Sequence, residues 1–162
     1  MTRPKAPSSD EHIESLRRAL DILGLKYTRE HLDEHLAWAT SQRPGYAELV
    51  GHVLGEEANV RLAQRIERRL HGSGLRERKT LEAFDWNFQP TLDRSLVLEL
   101  ARLDFVRRHE DLLITGKSGT GKSHILQAFV ARACEQGTPV RYARCVDLLD
   151  DLFAGLADGT YR

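Results

Sequence analysis

The sequence predicts an α/β fold, with an all-helical N-terminal domain followed by the start of a parallel-sheet domain. Three observations carry this expectation. The first seventy or so residues place their leucines and isoleucines at helical spacings of three and four. Asp111-Leu112-Leu113-Ile114-Thr115 is a short apolar run suited to a buried strand. The turn Gly116-Lys117-Ser118-Gly119-Thr120-Gly121-Lys122-Ser123 then joins that run to a further segment of helical period.

Composition sets the outer bounds. The 162 residues are 41% hydrophobic and 30% charged, enough for one domain or a small domain joined to part of another. Basic and acidic side chains balance at 24 each, so a nucleic-acid or membrane surface would have to be local. Cys134 and Cys145 are too few for a disulfide framework and lie at no zinc-like spacing, which suits reduced thiols and a cytoplasmic protein. Arg3 and Lys5 precede proline and serine rather than an apolar run, and no stretch approaches membrane-spanning length.

Ile13, Leu16, Leu20 and Leu23 define a first helix, with Ser9 or Asp10 as its cap and Gly24 as its stop. Thr28 is placed to cap a second, carrying Leu32, Leu36 and Ala39. Pro44-Gly45 breaks the pattern, and a long helical stretch runs from there to Gly72 with Leu62, Ile66 and Leu70 on one stripe. Gly51 and Gly55 allow a kink in it. Residues 61–80 hold Arg61, Arg65, Arg68, Arg69, Arg76, Arg78 and Lys79 against Glu67 and Glu77, so this is the local basic surface a DNA backbone would need. A solvated arginine face is the plainer alternative.

Residues 80–91 read as an extended connector in which Phe84, Trp86 and Phe88 alternate and Pro90 bars helix. Without basic interleaving, the aromatics suit a strap over a core better than base stacking. Asp93 caps a helix through Leu96, Leu100, Leu103 and Val106. Gly137-Thr138-Pro139 stops the helix after the loop, Val140-Arg141-Tyr142-Ala143-Arg144 alternates as a second strand, and Val146, Leu149, Leu152, Phe153 and Leu156 give a last amphipathic helix. These boundaries divide the chain into a helical domain at 1–79, a connector at 80–91 and the start of a second domain, holding the glycine turn, at 92–162.

The glycine turn carries the chemistry. Glycines at 116, 119 and 121 let backbone N–H groups converge on phosphate oxygens, Lys122 adds a cation for the β and γ phosphates, and the Ser123 hydroxyl suits Mg2+. ATP with Mg2+ is the expected cofactor, held by Gly116, Lys117, Ser118, Gly119, Thr120, Gly121, Lys122 and Ser123, with His124 placed either to touch the phosphates or, equally, to pack locally. No catalytic residue is assigned. Asp147, Asp150 and Asp151 imitate an acidic magnesium motif, but Asp147 interrupts the apolar run and the 3.6-residue period of the apolar positions through Phe153 argues a helix. His31 and His35 stand four apart without the glutamate a zinc protease places after its first histidine.

At this point the sequence resembles the IstB-like transposition helper ATPases, relatives of the DnaC-type helicase loaders in the AAA+ class. The resemblance rests on the arginine-rich 61–69 segment, Lys79-Thr80-Leu81-Glu82-Ala83-Phe84-Asp85, Gln89-Pro90, Leu98-Glu99-Leu100-Ala101, Leu103-Asp104-Phe105, and the loop with His124. It implies a P-loop AAA+ parallel sheet and an ATP-dependent protein that forms homo-oligomers on DNA and acts with a transposase. It also implies an acidic magnesium motif, a polar sensor and an arginine finger beyond residue 162, so a truncated copy with impaired hydrolysis is expected. The alternatives are a replicative helicase loader and a non-enzymatic DNA-binding remnant. A small-molecule kinase fits less well, since such enzymes place the loop near the chain start.

Overall fold

The computed structural model describes residues 9–159. It resolves two compact units, Met1–Arg65 and Ile66–Arg162, with the division falling inside one helix.

The first unit begins with α1 (Ser9–Ile22), whose Leu20 is buried. Gly24 ends it as read, at φ +67°. A short α2 (Lys26–Glu30) follows, then α3 (Leu32–Gln42), with His31 between them. Thr28 lies inside α2 and does not cap it: 1% exposed, it donates both its N–H and its hydroxyl to Glu57 Oε2, at 2.8 and 3.0 Å. Arg43, left-handed at φ +50°, closes α3 and turns the chain toward α4 (Tyr46–Gly72). This helix runs unbroken for 27 residues through Gly51 and Gly55.

Glu57 organises the start of this unit. Its other oxygen accepts from Arg61 Nε at 2.7 Å, and Arg61 reaches on to the Gly24 carbonyl at 2.5 Å. Burial alone would push the Glu57 carboxyl up. The Thr28 N–H, the Arg61 hydrogen bond, the Thr28 hydroxyl and the Arg61 charge together outweigh it and hold the group below the usual glutamate range.

The second unit carries the last part of α4, a single 3₁₀ turn at Trp86–Phe88, α5 (Arg94–Leu100), α6 (Asp104–Arg107), α7 (Lys122–Gln136) and α8 (Cys145–Asp158). Its main core gathers Phe84 and Leu81 of the connector, Val97 and Leu103, and Ile125 and Phe129 of α7. The connector therefore folds inward at Leu81 and Phe84 and does not run extended. Asp85 accepts from the Asn87 N–H at 3.0 Å and fixes the 3₁₀ turn, while Phe88 stays 64% exposed. Asp93 caps α5 as read, accepting from Leu96 N at 3.1 Å. The helix expected through Val106 breaks at Leu103, whose left-handed backbone (φ +63°) turns its side chain into the core at 4% exposure.

The expected parallel sheet is not formed. Among the described residues there is no strand: the α/β assignment, with its first part of a P-loop AAA+ parallel sheet, gives way to a helical protein. Residues 112–115 and 140–144 do run with the alternation of strands, Leu112, Ile114, Val140 and Tyr142 more buried than Leu113, Arg141 and Ala143. Alternation is a property of one segment, whereas a strand exists only through ladder bonds to a neighbour. Tyr142 N–H goes instead to the Ser73 carbonyl, at 2.6 Å. Leu112, Ile114 and Val140 pack on the helical core from these unladdered segments.

Candidate functional site

The loop at residues 116–123 follows the unladdered run ending at residue 115 and passes into the first turn of α7. Its three glycines all have positive φ: +148° at Gly116, +79° at Gly119 and +84° at Gly121. Gly121 is required twice over. Its left-handed backbone starts α7, and a Cβ there would stand 2.6 Å from Phe84 Cε2 and 2.9 Å from Phe84 Cζ. The ring that fills the core of this unit thus also lies directly under the turn.

No side chain caps α7, so the N–H groups of its first turn point out of the helix without a capping oxygen. Such an end presents partial positive charge and donors to an anion. Within the loop, Thr120 Oγ1 donates to the Lys117 carbonyl at 2.9 Å, and the Lys122 ammonium folds back to the same carbonyl at 2.5 Å, with Thr120 Oγ1 at 3.4 Å. Lys117, Ser118 and Gly119 are exposed, as is Ser123, while Thr120, Gly121 and Lys122 are half-buried. Donor type, charge and exposure fit a phosphate chain, with Ser123 offering a hydroxyl oxygen for a hard cation.

His124 takes a different part. Its Nε2 pairs with the Thr80 carbonyl at 2.8 Å, and its ring meets Phe84 edge-on at 5.2 Å. It ties the connector to α7 beside the loop. Neither Thr80 nor Phe84 was assigned to the site from the sequence; the aromatic alternation in the connector is the signal that could have found Phe84.

A cleft of about 350 Å³ opens next to Ser123 and His124, with Gly74, Arg76, Lys79, Tyr142, Arg144 and Asp147 among its walls. That volume falls within the range of small-ligand sites. Asp147 lies in the first turn of α8, and the Arg144 hydrogen bond holds its carboxyl below the usual aspartate range, with the Arg144 and Arg76 charges adding to the effect against a smaller opposing contribution from burial. Gln127 Nε2 donates to the Tyr142 hydroxyl at 3.2 Å across the cleft floor.

The basic residues 61–79 do not form one surface of like members. Arg61 is committed to Glu57 and Gly24. Arg69 lies along Gly137, its guanidinium 3.5 Å from where a Cβ would be. Arg78 bridges Glu135 at 2.8 Å and Glu67 at 3.5 Å, Arg76 approaches Asp147 at 3.6 Å, and Lys79 pairs with Glu77 at 2.5 Å. Arg65 and Arg68 are exposed on α4. Of the stripe read as buried, Leu70 is buried but Leu62 is 52% exposed. Cys134 is fully buried, and burial pushes its thiol up; Cys145 is exposed.

This arrangement, a glycine turn feeding an uncapped helix with a lysine in its first turn, has donors and charge suited to an anion. The family model of the IstB-like ATP binding proteins matches residues 18–162. The chain is 37% identical over 127 residues to an ATP-binding protein, so named, of insertion sequence IS21 in Pseudomonas aeruginosa, covering 76% of this chain and 48% of that one. It is 31% identical over 147 residues to an insertion-sequence protein of Mycobacterium tuberculosis named in the same way, covering 91% and 59%, and 26% identical over 139 residues to that of insertion sequence IS232 in Bacillus thuringiensis, covering 86% and 56%. The chain belongs to the family of IstB-like ATP binding proteins. It spans about half the length of these relatives.

Proposed function

We propose that this chain is an ATP-binding helper of DNA transposition that grips the nucleotide's phosphates with residues 116–123. The observation that carries the reading is the loop itself: three glycines at positive φ lead into an uncapped α7 whose first residue is Lys122, in a chain of an ATP-binding family. The loop and first-turn N–H groups would hold phosphate oxygens, and the Lys122 ammonium would exchange the Lys117 carbonyl for them. Ser123 would ligate the Mg2+ that ATP brings. Gly116, Gly119 and Gly121 supply the curve, Lys117, Ser118 and Thr120 the rim, and His124 steadies the connector beside it.

The insertion-sequence setting of the relatives supports a transposase as partner; action in the cytoplasm and homo-oligomers on DNA belong to the same proposal. No helix among the described residues is long and apolar enough to cross a membrane. For DNA, the candidate surface is the basic set Arg61, Arg65, Arg68, Arg69, Arg76, Arg78 and Lys79, of which Arg65 and Arg68 are exposed on α4. Replacing both by Ala is expected to weaken duplex binding several-fold and to lower the slope of log affinity against log salt by up to about 2, near 0.9 per lost phosphate contact. An unchanged slope would remove this face from the DNA surface.

Nucleotide binding is tested by equilibrium titration of a fluorescent ATP analogue in magnesium. Lys122→Ala is expected to lose at least about tenfold in affinity, near 1.4 kcal/mol, with thermal unfolding unchanged. Equal affinity in the two proteins would defeat the reading.

A further inference from the structure

We infer that His35, His52 and Glu56 form a binding site for a zinc-class divalent transition metal in the unit Met1–Arg65, independent of nucleotide binding at the glycine loop. Their ligand atoms all lie within 4.8 Å of one another: Glu56 stands 3.9 Å from His35 Nε2 and 3.6 Å from His52 Nε2.

The register of two helices produces this cluster. His52 and Glu56 are four apart on α4, which puts both on one face. His35 lies seven residues before the end of α3 at Gln42, and His52 six after the start of α4 at Tyr46, so the turn at residues 43–45 brings them to matching depth. Trp38, one turn further along α3, stacks on the His52 ring at 4.0 Å and fixes its plane. The two imidazoles meet edge to face at 5.4 Å and 83°.

His35 supplies the independent observation that a ligand belongs here. Its side chain is 4% exposed, and its Nε2 is buried with no hydrogen-bond partner. Buried ring nitrogens normally find one, and the Glu56 carboxylate, at 3.9 Å, stands beyond hydrogen-bond length. Adjacent Glu57 is already committed to Thr28 and Arg61, so Glu56 alone of the two carboxylates faces the histidines.

Two imidazoles and a carboxylate are the donors of zinc and its first-row neighbours, not of calcium or magnesium, which take oxygen. In a tetrahedral site with bonds of about 2.0–2.1 Å, ligand atoms stand about 3.3 Å apart. Closing from separations of up to 4.8 Å takes side-chain adjustments of up to about 1.5 Å. His52 and Glu56 are partly exposed, at 29% and 40%, so a water has access to the fourth position. The bound ion would clip α3 to α4.

The test uses the full chain, free of any affinity tag, in a Cys145→Ser background that removes the exposed thiol. Titration with Zn2+ and with Co2+ is expected to show one ion per chain, tetrahedral Co2+ absorption, and a raised unfolding temperature with Zn2+. His52→Ala and Glu56→Gln, both at partly exposed positions, are expected to weaken binding at least about 10-fold; His35→Ala is the buried third variant. Nitrogen-15 spectra of the ring nitrogens should move at His35 and His52 on adding Zn2+ and hold at His31. Lys122→Ala should bind Zn2+ unchanged. Affinity indifferent to His52→Ala and Glu56→Gln, or ring shifts at other histidines only, would overturn the site.

Discussion

Glu57, 4% exposed, anchors the unit that ends at Arg65 by hydrogen bonds, whereas Phe84, 7% exposed, anchors the unit that begins at Ile66 by filling space. The carboxylate receives three donors, from Thr28 and Arg61, and stitches the middle of α4 to the turn at Gly24 and to α2. The ring touches Trp86 and His124 edge-on and lies where a Cβ on Gly121 would be. The first anchor is directional and depends on charge. The second depends on shape, and it couples the core of its unit to the conformation of the glycine loop.

The largest expected effect follows from shape. Phe84→Ala should cost about 3–5 kcal/mol of stability by loss of burial and the cavity left behind. Gly121→Ala should cost less, about 1–2 kcal/mol for a left-handed alanine and a further 1–3 kcal/mol for displacing the ring. The two should not add: with the ring gone, only the backbone part of the alanine penalty remains, so the double variant should be more stable than the sum of the single losses by about 1 kcal/mol or more. Urea unfolding of the three variants measures this. Strict additivity would mean that the ring and the loop are independent.

How far the sequence discloses these two anchors depends on how local each is. Helix ends are legible where one residue does the work, as at Gly24 and Gly137, or at Asp93, whose carboxylate reaches the N–H of Leu96 three residues on. The glycine turn is legible for the same reason, since its φ angles and the start of α7 are set by residues 116–122. Thr28 misleads because its side chain answers to Glu57, 29 residues away, and not to the helix end beside it. The alternating runs at 112–115 and 140–144 mislead more deeply. Their alternation is real, but a ladder is a relation between segments, and Tyr142 N–H finds Ser73. His35, His52 and Glu56 are half legible: the four-residue spacing of His52 and Glu56 is in the sequence, while the third member comes from another helix.

The charge-dependent anchor gives the smaller and more diagnostic effect. Glu57→Gln keeps the shape and one acceptor oxygen but removes the charge that Arg61 faces, which should cost about 1–3 kcal/mol at neutral pH. The sign of its pH dependence follows from the direction of the shift. The carboxyl titrates lower in the folded protein than in the unfolded chain, so the unfolded state binds the proton first as pH falls. The stability this provides is therefore full above the ordinary glutamate range and is lost as pH falls from there through the depressed folded value. Wild type and Glu57→Gln should then differ most near neutrality and converge in acid, whereas Phe84→Ala should stay below wild type by a similar amount throughout. Parallel acid profiles for wild type and Glu57→Gln would show that the Thr28 and Arg61 contacts do not favour the ionised carboxylate, and that this unit, too, is held chiefly by shape.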